Sequence, residues 1–417
     1  MDTIIRINIR RLLFTTFVFF FLFSNLISRI SGHNINLLFY GSWLLVFIYS
    51  IKYIKPNILT VFWAIVPLFF SVYIADPRYI LSANLLTIKD FIIPILCTYI
   101  GYALSKTTNT EDIFQDINLL YFFALSYGIL QEMSFYTGNL AQVLPWDANY
   151  LSTFLDMPSN ALQPGGLLRF FGTMNSFVEF QIVIVFLGAF LWLNREKMKN
   201  NKLLYLNIIM MLAFISLALE RSPIMMGIIL LLFWKLKAII TNYKILFYYI
   251  LAIGVICLLI IINLDFINSN PLIFGAYQRL YNAITLNLKN DAAVDERIHV
   301  QWKQSLELAR DNYFGIGPGR LSPSAEKIYP MGYVGPHNNF LAIYLAYGLL
   351  GLLLFVILLL LGVWHLSHIE DNYRFFGYGM IVAFASMAMF NMPFIGKQGI
   401  IFFYIFGYLC SQKFKRK

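Results

Sequence analysis

Long apolar segments recur along the whole chain, and they restrict its fold more than any other feature. Of the 417 residues, 59% are hydrophobic and only 12% are charged. A helix needs about 20 residues to cross the hydrocarbon core of a bilayer, and the apolar runs have about that length. Because backbone polar groups find no water there, each spanning segment must be helical. The sequence therefore predicts an all-α fold, a polytopic bundle of transmembrane helices.

About twelve of these segments are predicted to span the membrane. They cover residues 12–28, 37–51, 58–75, 91–105, 119–137, 172–194, 203–219, 222–234, 245–263, 339–364, 375–392 and 399–411. The first segment follows Arg6, Arg10 and Arg11 and could be a signal peptide. It lacks a convincing small-residue cleavage site, so we interpret it as a retained helix.

The distribution of positive charge predicts the orientation of the bundle. With the amino terminus inside, the segments on that side hold 18 of the 31 Lys and Arg residues. Cytoplasmic segments of membrane proteins carry such an excess, so both termini are predicted to be cytoplasmic. This rule explains the net charge of +10, and no nucleic-acid partner is needed.

The predicted topology divides the chain into three parts. Residues 1–263 hold nine transmembrane helices and an outer loop, residues 138–171. Residues 264–338 form a larger outer loop. Residues 339–417 hold three further helices and a cytoplasmic tail.

An amphipathic helix is predicted in the larger outer loop. Its apolar stripe consists of Ile298, Trp302, Leu306 and Ala309, and its polar face consists of Lys303, Glu307 and Arg310. Such a helix lies on a membrane surface, so we expect it to form a cap over the bundle. The segment "GIGPGR" follows it and includes Gly317 and Arg320. Its alternating glycines allow a backbone to approach a ligand closely, although a plain turn has the same pattern.

Charged residues also occur near the other predicted outer loop. Arg169 lies at a membrane boundary, followed by Asn175 and then Glu179 inside a predicted span. An ionisable residue within a span is costly, and its presence suggests a function. The structural alternatives are that Arg169 anchors the helix at the membrane interface and that Glu179 pairs with a nearby arginine.

Arg221 lies in the tight hairpin "ERSP" between two predicted spans. We expect Ser222 to cap the following helix, with Pro223 at its first position. Arg221 would then lie beside a helix N-terminus, where backbone N–H groups favour an anion. A structural role in locking the hairpin is the alternative.

His337 lies at the predicted outer entrance of a span, in the sequence "GPHNN". Taken alone, a histidine there is more often a structural hydrogen-bonding residue than a catalytic one. The other four histidines form no spaced metal cluster with it, so the sequence predicts neither a metal nor a cofactor.

Together these residues resemble the bacterial O-antigen polymerase and O-antigen ligase superfamily, most strongly over about residues 165–360. The most specific part is His337-Asn338, followed after nine residues by Gly348 and Gly351. Arg221 in "ERSP" and Arg297 with the downstream "YFGIGPG" support it. The stretch from Arg169 to Asn175 is similar to an Arg-Gly-Asn segment of these families.

The resemblance implies a metal-independent, inverting glycosyltransferase at the periplasmic face of the bacterial inner membrane. Its substrate would be an undecaprenyl-pyrophosphate-linked oligosaccharide, and its partners would be membrane lipids, a chain-length regulator and a flippase. His337 would be the general base, since a neutral imidazole suits that task. Pyrophosphate would be bound by Arg221, Arg297 and Arg169. Supporting residues would be Asn338, Glu179, Asn175, Gly317 and Arg320.

Three functions fit a membrane protein of this kind. We favour a polymerase that joins lipid-linked repeats, because the Arg169 block and "FGIGPGR" are more typical of polymerases. The first alternative is a ligase that transfers the finished polymer to lipid A-core. The second is a lipid-linked oligosaccharide flippase, which would carry internal repeats and charged residues along a central path.

Overall fold

The computed structural model describes residues 8–53, 81–107, 110–154, 171–218, 221–241, 297–318, 321, 335–389 and 391–412. Every regular element in these residues is a helix, which confirms the all-α prediction.

The described helices are numbered here in chain order. They are α1 (Ile9–Ser31), α2 (Asn36–Ile51), α3 (Leu81–Lys106), α4 (Thr110–Tyr136), α5 (Leu140–Val143), α6 (Pro145–Phe154), α7 (Phe177–Leu193), α8 (Lys202–Ala218), α9 (Arg221–Thr241), α10 (Lys303–Asp311), α11 (Asn339–Leu366), α12 (Asp371–Ala388) and α13 (Gly396–Cys410). A 3-10 turn, Arg195–Lys197, follows α7, and a π-helical turn, Arg297–Trp302, leads into α10.

Three of the described helices are long and apolar enough to cross a membrane. They are α1, α4 over Thr110–Phe135, and α11. Helices α2, α7, α8 and α9 contain shorter apolar stretches. The predicted spans 58–75 and 245–263 lie outside the described residues, so the number of about twelve spans stays a prediction.

Two helices begin at other residues than the hydropathy pattern predicts. Helix α7 begins at Phe177, not at residue 172, because Gly172 adopts a positive φ of 52° and Ser176 caps the helix. The Ser176 hydroxyl accepts a hydrogen bond from the Glu179 N–H at 3.5 Å. Glu179 therefore lies in the first turn of α7, where the helix dipole favours a carboxylate.

The predicted cap of α9 is wrong. The helix begins at Arg221, so Ser222 and Pro223 lie inside its first turn. Proline is tolerated there because the N–H groups of a first turn have no intrahelical partner.

The chain divides into two compact units. The first contains α1 and α4 to α8, and the second contains α3 and α10 to α13. Helices α2 and α9 contribute residues to both units.

Ion pairs mark the two ends of the first unit. At one end, the Arg11 guanidinium lies 2.6 Å from the Asp116 carboxylate. At the other end, the Arg29 guanidinium lies 2.9 Å from the Asp147 carboxylate. Asp116 lies near the start of α4, and Asp147 of α6 is hydrogen-bonded to Tyr127 and Gln131 in the second half of α4. The start of α1 therefore lies by the start of α4 and its end by the end of α4, so these helices run in the same direction. Parallel α1 and α4 agree with the predicted topology, in which both cross from inside to outside.

Hydrogen bonds likewise mark the two ends of the second unit. At one end, Lys106 Nζ donates to the Ser411 carbonyl at 3.1 Å, and His365 Nε2 lies 2.7 Å from the Cys410 carbonyl. At the other end, Asn339 Oδ1 accepts from the Phe394 N–H at 3.1 Å. His337 lies at this second end, which the charge distribution predicts to be periplasmic.

Candidate functional site

His337 adopts a backbone conformation that side-chain-bearing residues rarely take. Its φ is 43°, and within the described residues it is the only non-glycine residue with a positive φ. Left-handed backbone costs such a residue about 1–2 kcal/mol. Strained conformations of this kind concentrate at functional sites, so the observation strengthens the hypothesis that His337 has a function.

The residue after His337 fixes where the next helix begins. Asn338 is the N-cap of α11, and its side-chain oxygen accepts from the N–H groups of Phe340 and Leu341 at 3.0 and 3.1 Å. A cap of this type stabilises a helix by about 1 kcal/mol. The Asn338 side-chain oxygen is therefore bonded to two backbone N–H groups, which is a structural role. An effect of Asn338 on the orientation of His337 stays a prediction.

The predicted amphipathic helix is present as the π-helical turn and α10 together. Arg297 begins the turn and is half-buried. The helix packs on α11, where the Tyr344 hydroxyl donates to the Ala309 carbonyl at 3.3 Å. Arg297 thus begins a helix that is attached to the same element as His337.

A polar cavity of about 550 Å³ lies between this helix and His337. Its lining consists of Gln301, Gln304, Glu307, Leu308, Asp311, Asn312, Gly335 and His337. The sequence pattern gave Glu307 and Asp311 no role at the site. Their spacing of four residues along one helix, with Gln304 one turn earlier, is the signal that could have identified this face.

A second, largely apolar groove lies on the opposite side of α10. Its lining consists of Leu306, Ala309, Arg310, Asn338, Phe340, Leu341, Tyr344, Leu352 and Met389. The predicted polar face of α10 is therefore divided, with Glu307 at the polar cavity and Arg310 at the apolar groove.

The glycine-rich segment after α10 contacts protein backbone. Helix α11 is interrupted at Gly348, whose φ and ψ of 69° and −171° are not helical. The segment fills the break: the Ile316 N–H donates to the Leu345 carbonyl at 2.6 Å, and the Leu349 N–H donates to the Tyr313 carbonyl at 3.0 Å. A Cβ on Gly315 would lie 2.7 Å from the Gly348 nitrogen, so the approach requires glycine.

Two glycine-containing segments meet at this break. They are the segment after α10, which contains Gly315, and α11, which contains Gly348. Gly348 opens α11 so that the preceding segment can dock. Gly317 follows this docked segment with a φ of 84°. Gly317, His337 and the start of α11 all belong to the second unit.

Part of the chain is similar to a known protein family. Residues 206–356 match the family model described as O-antigen ligase. This part of the chain is similar to an O-antigen ligase domain. This match supports the resemblance to the O-antigen ligase and polymerase superfamily that the sequence motifs indicated, and members of the matched family are glycosyltransferase-like enzymes. A search of curated proteins gives no match to the chain.

The segment that matches the family model includes the cavity described above. Residues 206–356 contain α9, α10, the docked glycine segment, His337 and the part of α11 on both sides of its break. Of the predicted pyrophosphate-binding residues, Arg221 and Arg297 lie in it. Arg169 and Arg320 lie outside the described residues.

Three predicted site residues, Asn175, Glu179 and Arg221, belong to the first unit. Asn175 is exposed, and Glu179 lies in the first turn of α7. Arg221 is the first residue of α9. Within the described residues, no group of three or more His, Cys, Asp or Glu could hold a metal ion. Metal-independent transfer by this chain stays a prediction.

Arg29 was missed in the sequence, although its guanidinium organises the turn that precedes α7. Its side chain is only 4% exposed. The guanidinium donates to Asp147 Oδ1 at 2.9 Å, to the carbonyls of Gly172 and Met174, and to Asn175 Oδ1 at 3.2 Å. Arg29 therefore fixes the turn that contains the predicted site residue Asn175.

The Asp147 carboxylate connects this arginine to α4. It accepts hydrogen bonds from the Tyr127 hydroxyl and from Gln131 Nε2, both at 2.6 Å. Burial raises the pKa of the Asp147 carboxyl, and Arg29 opposes this shift. An arginine at the outer end of the first predicted span and an aspartate in the outer loop 138–171 were the available sequence signal.

Proposed function

We propose that the chain is a surface-polysaccharide polymerase at the periplasmic face of the bacterial inner membrane. It joins oligosaccharide repeats that are carried on undecaprenyl pyrophosphate. The observation that carries this proposal is the strained His337 at a polar cavity inside the segment that matches the O-antigen ligase family model. The second unit supplies both a candidate base and hydrogen-bonding groups for a sugar.

In the proposed reaction, His337 acts as the general base. A hydroxyl of the acceptor sugar attacks the anomeric carbon of the donor glycan. The hydroxyl proton passes to the neutral imidazole, a new C–O bond forms, and the bond from the anomeric carbon to the pyrophosphate oxygen breaks. The bonding electrons leave with the lipid pyrophosphate. A single displacement of this kind inverts the anomeric configuration.

The developing charge on the leaving pyrophosphate is assigned to arginines. Arg297, Arg221 and Arg169 carry over from the family resemblance as pyrophosphate-binding residues. Guanidinium groups bind phosphate oxygens in pairs, and fixed positive charge stabilises a leaving group as the bond breaks. Two positions support these roles: Arg297 precedes the cavity on its own helix, and Arg221 begins α9.

Two activities of this superfamily are considered for the chain. One is the ligase reaction, which transfers a finished polymer to lipid A-core and gives the matched family its description. The residues around Arg169 and the segment "FGIGPGR" favour a polymerase. Since both reactions need a base, an acceptor sugar and a pyrophosphate site, the product decides between them.

A deletion strain of the source organism tests the proposal. Loss of a polymerase leaves a single repeat on lipid A-core, as seen on a lipopolysaccharide gel. Loss of a ligase leaves bare core and lipid-linked polymer, and loss of a flippase leaves single repeats on the inner leaflet. Complementation with His337→Ala should restore protein in the membrane but no polymer. Polymer formation by that variant would refute the role of His337.

A further inference from the structure

The apolar groove beside α10 exposes part of its lining. The groove has a volume of about 420 Å³, and its walls come from α10, from α11 on both sides of the break, and from the residue after α12. Two of its apolar side chains are exposed, Leu306 by 55% and Met389 by 42%. Exposed apolar side chains that lie together on one surface mark a place where another apolar molecule binds.

The groove continues into the apolar face of a membrane-spanning helix. Leu352 lines the groove, and its neighbours on the same face of α11 are Leu349, three residues earlier, and Val356, four residues later. Both of these neighbours are exposed. Because α11 is long and apolar enough to cross a membrane, its exposed apolar side chains contact lipid chains. A lipid chain can therefore enter the groove along this face of α11.

Arg310 brings a positive charge to this apolar groove. Its side chain is exposed, and within the part of the chain that the structure describes its guanidinium has no carboxylate partner. The two carboxylates of α10, Glu307 and Asp311, lie at the polar cavity on the other side. The Asn338 side-chain oxygen caps α11, and the Tyr344 hydroxyl donates to a carbonyl of α10. Arg310 is therefore the group of this lining that suits an anion.

We propose that the apolar groove binds a membrane phospholipid with an anionic head group. An acyl chain lies against Leu306, Leu352 and Met389, and the phosphate oxygens accept hydrogen bonds from Arg310. A guanidinium can donate two parallel N–H groups to one phosphate. A phosphodiester carries a single negative charge, which one arginine balances. A lipid pyrophosphate carries more charge than this groove can balance, so the site is distinct from that of the proposed donor.

The bound phospholipid ties α10 to α11. It contacts α10 at Leu306 and Arg310, and it contacts α11 at Phe340, Leu341 and Leu352. A ligand that binds only the folded protein stabilises it. The phospholipid is thus a structural partner of the second unit, and this role goes beyond the proposed glycosyl transfer.

The test uses the purified full-length chain in detergent micelles and native mass spectrometry, which resolves each bound lipid by its mass. The first probe is phosphatidylglycerol, whose head group contains a phosphodiester. The second probe is diacylglycerol with the same acyl chains, which lacks the phosphate. Undecaprenyl pyrophosphate is added as a competitor, because it distinguishes a phospholipid site from a donor site. The measurement needs no glycan transfer.

The expected result is selective for the phosphate. Arg310→Gln should weaken binding of phosphatidylglycerol about fivefold, the usual contribution of one basic residue at an anionic lipid surface. Binding of diacylglycerol should not change in this variant. Leu306→Gln should weaken binding of both lipids, because it places an amide against the acyl chain. Phosphatidylglycerol should also raise the melting temperature of the wild type more than that of Arg310→Gln.

Lys303→Gln is the matched control. It removes the same charge from the same helix, and Lys303 is exposed outside both grooves. This variant should bind phosphatidylglycerol like the wild type. An equal loss of binding in Lys303→Gln and Arg310→Gln would overturn the proposal, because the general charge of α10 would then explain the binding.

Three further results would overturn the assignment of the groove. The first is equal binding of phosphatidylglycerol by Arg310→Gln and the wild type. The second is displacement of phosphatidylglycerol by an equal concentration of undecaprenyl pyrophosphate, which would assign the groove to the donor lipid. The third is a dimer that excludes the phospholipid, which would assign the groove to a second copy of the chain.

Discussion

His337 has an unfavourable backbone conformation, and its side chain lies at the polar cavity where the proposed proton transfer takes place. A glycine at this position would adopt a φ of 43° without strain. The chain has a histidine there instead, and the side chain lies at the polar cavity. A residue whose function outweighs its conformational cost should gain stability and lose activity when it is replaced by glycine.

His337→Gly should therefore be at least as stable as the wild type, by up to about 1–2 kcal/mol, because the left-handed backbone is no longer strained. His337→Ala keeps the strain and should not show this gain. Both variants should lose glycan transfer. Chemical denaturation in detergent micelles and polymer gels measure the two effects. A glycine variant that is less stable than the alanine variant would contradict the strain argument.

The buried pair of Arg29 and Asp147 predicts a large loss of stability. Asp147→Ala leaves the Arg29 guanidinium buried without its carboxylate, which should cost about 3–5 kcal/mol. Lys199→Ala is the control, since Lys199 is 63% exposed in its pair with Asp112. Thermal melting in micelles should show a clear decrease for the first variant and none for the second. Equal melting temperatures would refute a stabilising role for the buried pair.

At the scale of the helix, α11 depends on the segment that fills its break. Hydropathy predicts one continuous span, residues 339–364, and the helix indeed covers Asn339–Leu366. The break at Gly348 is invisible to hydropathy, because its hydrogen-bond partners come from Tyr313 and Ile316, far earlier in the chain. Only the glycine spacing indicated that something unusual occurs there.

Gly348→Ala should destabilise the protein by about 1–3 kcal/mol, because φ and ψ of 69° and −171° suit glycine alone. Its new methyl group would also collide with the backbone of Phe314, 2.6 Å away, and push the docked segment out. Gly41→Ala is the control. Gly41 lies in α2 with no atom within 4 Å of a new Cβ, so alanine there should be neutral or slightly stabilising. The two melting temperatures should therefore shift in different directions, and a neutral Gly348→Ala would contradict the docking role.

The sequence predicted the presence of the helices better than it predicted their first residues or the residues that line the site. The end of α7 came within one residue of the prediction, because the length of the apolar run sets the length of a span. Its start moved because Ser176 caps the helix, a local effect that hydropathy does not report. The cavity needed tertiary information, since Glu307 and His337 meet only when α10 packs on α11.

At the scale of the whole molecule, the charge distribution predicts which ends face the cytoplasm. Exposed positions at opposite ends of the second unit test this, for example Tyr313 near the site and Glu370 between α11 and α12. In a background without native cysteines, Tyr313→Cys should react with an impermeant maleimide in cells with a permeabilised outer membrane. Glu370→Cys should react only after lysis. The reverse pattern would invert the topology and place His337 on the cytoplasmic side.

The docking of the segment after α10 into the break in α11 also has a consequence for biogenesis. A free carbonyl and a free amide within the bilayer cost several kcal/mol each, so the helix is favourable there only with its partners in place. The ribosome makes Tyr313 and Ile316 before it makes Leu345 and Leu349. The segment that docks into the break has therefore been synthesised before α11 leaves the ribosome. Insertion of α11 does not have to wait for later sequence to supply these hydrogen-bond partners.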